Sequence, residues 1–125
     1  MDKKKILVVE DDSDLLDLVS RKLSQIGFEV IGLATGQGAM DYLRAQKPDL
    51  MILDILLPDI DGITILNELI NFEGTKNIPV IIFSNLDQRG SFEQVSAVGN
   101  FEYLIKAKTD LNDLASKVKE KLGLN

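Results

Sequence analysis

The 125-residue chain contains no cysteine and no histidine. Lack of cysteine excludes a disulfide framework and a thiolate metal site. Lack of histidine removes imidazole as base, as zinc ligand and as carrier of a phosphoryl group within this chain. Positive charge is also in deficit: 14 Lys and Arg stand against 20 Asp and Glu, a net −6. That balance argues against a nucleic-acid surface, because phosphate contacts rest on clustered Lys and Arg. No apolar run approaches a membrane span. The opening Met1-Asp2-Lys3-Lys4-Lys5 resembles the head of a signal peptide, but only Ile6 to Val9 follow before Glu10-Asp11-Asp12, too short for its apolar core. These absences lead to the expectation of a soluble, cytoplasmic protein that touches neither membrane nor nucleic acid.

What remains is ordinary globular material. An apolar content of 45% with 27% charge supports a packed core and not a disordered segment. The length suits one domain, and no linker or low-complexity stretch interrupts it, so residues 1–125 are expected to form a single domain.

Two hydrophobic periods alternate along the chain. Ile6 to Val9 is a short apolar run, followed by Asp12 or Ser13 as a helix cap and by Leu15, Leu16, Val19, Leu23 and Ile26 at helical spacing, closed by Gly27. Val30 to Ala34 reads as a second strand, and Gly36 to Gln46 as a weaker helix ended by Pro48. Leu50 to Asp54 is a third strand, its apolar run Leu50 to Leu53 continuous enough to be buried on both faces. Ile63, Leu66, Leu69 and Ile70 mark a third helix. Pro79 opens a fourth strand, Val80 to Phe83, and Asp87 to Val98 is a weak helix with Phe92, Val95 and Val98 inward. Tyr103 to Lys106 is a fifth strand, and Leu111, Leu114, Ala115, Val118 and Leu122 form the last helical stripe. Five βα units of this kind predict an α/β fold: a parallel sheet covered by helices on both faces, with right-handed crossovers.

The third strand ends abruptly on Asp54, and Pro58 and Gly62 in the following Leu-Leu-Pro-Asp-Ile-Asp-Gly take the chain out of the sheet. Asp54 therefore lies at the carboxyl edge, where open α/β sheets place their ligands. In the doubly wound order 2-1-3-4-5, strand one brings Glu10 and Asp11 to the same crevice, strand four brings Ser84 and strand five brings Lys106. Three carboxylates in one crevice need compensation. A hard divalent cation such as Mg²⁺ suits them, with Lys106 as a second positive charge and Ser84 as a hydroxyl donor. The set fits phosphoryl transfer with Asp54 as nucleophile.

On these residues the chain resembles, over its whole length, the response-regulator receiver domains of two-component signalling. Val-Val-Glu-Asp-Asp resembles their acidic pair, and Leu-Asp-Ile-Leu-Leu-Pro-Asp-Ile-Asp-Gly their phosphoacceptor loop. The resemblance implies a flavodoxin-like (βα)5 fold, Asp54 as phosphoacceptor, and Mg²⁺ held by Glu10, Asp11, Asp54 and the Leu56 backbone carbonyl. It makes Ser84 the switch hydroxyl, Tyr103 the switch aromatic and Lys106 the phosphate-binding lysine. It further implies a sensor histidine kinase or histidine phosphotransfer protein as donor, and a downstream partner on the face of helix four, strand five and helix five. The protein then assists its own phosphotransfer without being a turnover enzyme.

The sequence departs from the family pattern in three places. Ala107 stands where a cis-proline usually follows the lysine, which leaves the isomer of that bond open. Asn85 follows Ser84 in place of a small residue. Leu56 and Leu86 are apolar where such domains flank the attacking water, which predicts slow loss of the phosphoryl group. Three other readings compete. An aspartyl-phosphate phosphatase would need an acid at Leu56. A flavin module would need a phosphate loop where Glu10-Asp11-Asp12 stands. A degenerate receiver would bind partners without being phosphorylated.

Overall fold

The computed structural model of the chain describes residues 3–85 and 92–124. Its elements run β1 (Lys5–Val9), α1 (Ser13–Gln25), β2 (Glu29–Leu33), α2 (Gly36–Ala45), β3 (Leu50–Leu53), α3 (Gly62–Asn71), β4 (Val80–Ser84), α4 (Phe92–Val98), β5 (Glu102–Ile105), a 3₁₀ turn (Lys106–Lys108) and α5 (Leu111–Lys121). The five strands are parallel and ordered β2-β1-β3-β4-β5. In β1, β3 and β4 the runs Ile6–Val9, Leu50–Leu53 and Val80–Phe83 are apolar at every position because both faces of the sheet are covered.

The two-residue period of a strand divides the core. Leu7, Val9, Met51, Leu53 and Ile82 point to α2, α3 and α4, where Leu43, Ile65, Leu66 and Val95 meet them. Ile6, Val8, Leu50, Ile52, Ile81 and Phe83 point to α1 and α5, against Val19, Leu23, Leu114 and Val118. Short side chains start the helices. Asp12 accepts from the Asp14 and Leu15 amides, Thr35 from Gly38, Asp61 from Ile63 and Asp110 from Asp113. Asp12 thus caps, as its position before the first helical residue suggests. Gly27, beyond the end of α1, has φ +108°, a conformation that a side chain would strain.

Several details differ from the sequence reading; β3, for example, stops at Leu53, with Asp54 just beyond it. β2 spans Glu29–Leu33, one residue earlier than expected, because its register follows Lys5–Val9 of β1. β5 stops at Ile105, whose partner Ser84 is the last residue of β4, so Lys106 opens the 3₁₀ turn instead of closing the strand. Ile65 is fully buried and was missing from the expected α3 stripe. Phe92 does not point inward: it is 46% exposed, with its ring 4.6 Å from that of Tyr103, and Val95 carries the burial of α4. The Asp87–Ser91 part of the expected fourth helix, and Leu86, lie outside the described residues. The Lys106–Ala107 bond is trans, as are all peptide bonds among the described residues. Among the described residues no helix is long and apolar enough to cross a membrane.

Candidate functional site

The parallel topology delivers five side chains to one edge of the sheet. Asp54 follows the last residue of β3 and is 3% exposed; its amide bonds back to the Val9 carbonyl of β1, which holds the two strand ends together. Glu10 follows β1 and is equally buried, with its amide on the Leu33 carbonyl of β2. Asp11, next in the chain, is exposed. Among the described residues, one oxygen from each of Glu10, Asp11 and Asp54 falls within 4.8 Å of the others.

Both oxygens of Asp54 are engaged. Oδ1 accepts from Ser84 Oγ at 2.6 Å and from the Leu56 amide at 3.0 Å, while Oδ2 accepts from Lys106 Nζ at 2.6 Å. Lys106 also reaches Glu10 Oε1 at 2.6 Å, and Glu10 Oε2 accepts from the Asp12 amide at 3.1 Å. Ser84 is completely buried, so its hydroxyl is committed to Asp54 without competition from water. Starting the 3₁₀ turn at Lys106 aims its ammonium into the crevice and not along the sheet.

Burial raises the Glu10 carboxyl above its usual range, against the lowering pull of the Lys106 and Asp12 bonds. For Lys106, burial acts to lower the ammonium, but the bonds to Asp54 and Glu10 outweigh it and raise it. Three carboxylates around a single ammonium leave a formal excess of two negative charges. A divalent cation balances that excess, and the all-oxygen donor set suits Mg²⁺. The acidic pocket is thus compatible with Mg²⁺ and with phosphorylation of an aspartate.

The loop from Ile55 to Gly62 closes on itself. The Ile55 carbonyl accepts from both the Leu57 and the Gly62 amides, at 3.1 and 3.0 Å. Gly62 allows this approach, since a Cβ there would lie 2.6 Å from Ile55 Cα. Tyr103 is half-buried and packs against the core cluster that α2, α3 and α4 cover, its ring against Phe92. Asn85 is exposed. Sequence reasoning gave no role to Asp59, whose carboxylate accepts from the first two amides of α2 at 2.8 and 2.9 Å. No local signal reveals that bond, because its partners stand more than twenty residues earlier in the chain.

Comparison with known proteins agrees with this geometry. A family model for the response regulator receiver domain matches residues 6–119. Protein-glutamate methylesterase/protein-glutamine glutaminase 1 of Syntrophomonas wolfei is 31% identical over 126 residues, covering 98% of this chain and 35% of that protein. The chain spans less than half the length of the first curated relatives it matches. Among solved structures, a CheY-like receiver domain protein from Methanospirillum hungatei JF-1 superposes with a TM-score of 0.86 at 28% identity, covering 98% of this chain and 95% of its own. The phosphorylated cyanobacterial phytochrome response regulator RcpA superposes with a TM-score of 0.80 at 30% identity, covering 95% and 91%. With its fold, its acidic crevice and a match spanning nearly all of its length, this chain belongs to the response-regulator receiver family of two-component signalling.

Proposed function

We propose that residues 1–125 form one receiver domain that accepts a phosphoryl group on Asp54 and uses it as a signalling switch. One observation carries this reading: the buried Asp54 carboxylate is held by Ser84 and Lys106 at 2.6 Å each, while Glu10 and Asp11 stand within reach of a shared cation. Donors on both oxygens orient the carboxylate, and burial excludes water from the nucleophile.

The donor is a phosphohistidine outside residues 1–125, on a sensor histidine kinase or histidine phosphotransfer protein, since these residues include no histidine. An Asp54 oxygen forms a bond to phosphorus as the phosphorus–nitrogen bond of the donor breaks, and the imidazole nitrogen leaves with the electron pair. Mg²⁺ held by Glu10, Asp11, Asp54 and the Leu56 carbonyl would neutralise charge on the phosphoryl oxygens. Lys106 and Ser84, now paired with Asp54 itself, turn their donors to those oxygens. Their inward movement opens space toward which Tyr103 can turn, changing the face built from α4, β5 and α5 where a downstream protein binds. The domain contacts neither nucleic acid nor membrane itself and acts in the cytoplasm with its donor. Leu56 offers no polar group to guide an attacking water, which favours a long-lived phosphorylated form.

Intact mass after incubation with acetyl phosphate and Mg²⁺ tests the reading. Wild type gains one phosphoryl group, chelation of the metal prevents the gain, and Asp54→Asn gains none. Absence of any gain in wild type would make this a receiver that binds partners without phosphorylation.

A further inference from the structure

Asp59 lies in the loop between β3 and α3, five positions beyond Asp54, and its side chain crosses to another element. Oδ1 accepts from the Gly36 amide and Oδ2 from the Gln37 amide, at 2.8 and 2.9 Å. These are the first two amides of α2, and a helix start leaves such amides without partners of their own. Thr35 Oγ1 serves the third, Gly38. The contact continues beside the bonds: Ile60 packs so closely on Gly36 that a Cβ at Gly36 would lie 2.8 Å from Ile60 Cβ. The same two bonds hold the Asp59 carboxyl below its ordinary range.

The loop is therefore fixed at two places. Its base is pinched where the Ile55 carbonyl takes the Leu57 and Gly62 amides, and its tip is tied to α2 by Asp59. The base anchor includes the Leu57 amide, which shares a planar peptide group with the Leu56 carbonyl, the cation ligand in the function proposed above. Only Leu57 and Pro58 separate Leu56 from Asp59, and the fixed φ of Pro58 makes that connection stiff. We propose that Asp59 is a positioning residue: by clamping the loop tip to the start of α2, it steadies the pinched base, and with it the Leu56 carbonyl, and so raises the affinity of the acidic crevice for Mg²⁺. The clamp and the cation are then linked, and each strengthens the other by the same factor.

This inference rests on the Mg²⁺ site of the proposed function, and the test separates the two. Mg²⁺ is titrated into wild type, Asp59→Ala and Asp110→Ala, followed by amide NMR, with hydrogen exchange at Gly36 and Gln37 measured with and without the ion. Asp110 caps α5 and serves as a control for loss of a helix cap. Asp59→Ala should bind Mg²⁺ about tenfold more weakly, as for other groups that orient a metal ligand, while Asp110→Ala binds as wild type does. In wild type, Mg²⁺ should slow exchange at Gly36 and Gln37 by a similar factor. Unchanged affinity in folded Asp59→Ala, or exchange at those amides indifferent to Mg²⁺ in wild type, overturns the inference even when wild type binds the ion. If Asp59→Ala fails to fold, the wild-type exchange measurement decides alone. Wild type that binds no Mg²⁺ overturns the proposed cation site and this inference together.

Discussion

Two clusters of opposed charge among the described residues differ in depth and in balance. In the crevice, Lys106 lies 2.6 Å from both Glu10 and Asp54, whose side chains are each 4% exposed, and Asp11 adds a third acid. On the outer surface, Glu102 of β5 faces Lys117 and Lys121 of α5 at 3.6 and 3.5 Å, and Glu120 lies 3.3 Å from Lys117. The surface cluster sets two acids against two lysines in contact with water, so it is neutral, screened and modest in worth. The crevice is mostly buried and acid-rich. Burial makes its charge expensive, and the imbalance makes it a receptor for a cation and a phosphoryl group. Composition alone does not distinguish the clusters; their position relative to the strand ends does.

Substitutions can break this contrast, and the largest effect belongs to Asp54. Asp54→Asn should abolish phosphoryl uptake, as read by intact mass. Lys106→Met comes next: removing the single ammonium leaves Glu10 and Asp54 buried without a counter-charge, and should cost about 3 kcal/mol in urea unfolding near neutral pH. Added Mg²⁺ should recover part of that loss in the variant.

A smaller effect concerns pH. The Glu10 carboxyl is raised above 4.5, chiefly by burial. An acid raised in the folded state favours folding below its unfolded pKa, and that advantage is lost as pH rises through the raised value. Glu10→Gln should therefore remove a decline in stability that wild type shows from pH 4.5 upward, in unfolding curves compared across that range. Equal slopes in the two proteins would contradict the cause assigned to Glu10. The smallest effect is expected at the surface. Lys117→Ala should shift the unfolding midpoint far less than Lys106→Met does, and the shift should vanish in molar salt.

The architecture was legible because its signals are local. Four apolar residues ending on Asp54 announce a buried strand that reaches an edge, and βα alternation says which other strand ends arrive there. Glu10, Asp11, Ser84 and Lys106 followed from that topology, and the structure brings all four to Asp54. Tyr103 came from family resemblance, and the structure packs its ring beside Phe92. Phe92 itself was misread because helical spacing does not reveal that, among its described residues, α4 buries mainly Val95. The Lys106 turn depends on where the β4 partner runs out, which is a property of the pair of strands. Asp59 depends on where two loops meet, and no residue pattern near it carries that information. Local periodicity specifies faces and edges; contacts between loops emerge only from assembly.

The most direct test of the central claim traps the modified residue itself. After incubation with acetyl phosphate and Mg²⁺, borohydride reduces an aspartyl phosphate to homoserine, and peptide mass spectrometry reads the position. Conversion at Asp54, with Glu10, Asp11 and Asp59 unchanged, is the predicted result. Conversion at another acid, or at none while wild type remains folded and bound to Mg²⁺, would contradict the assignment of Asp54 as the acceptor.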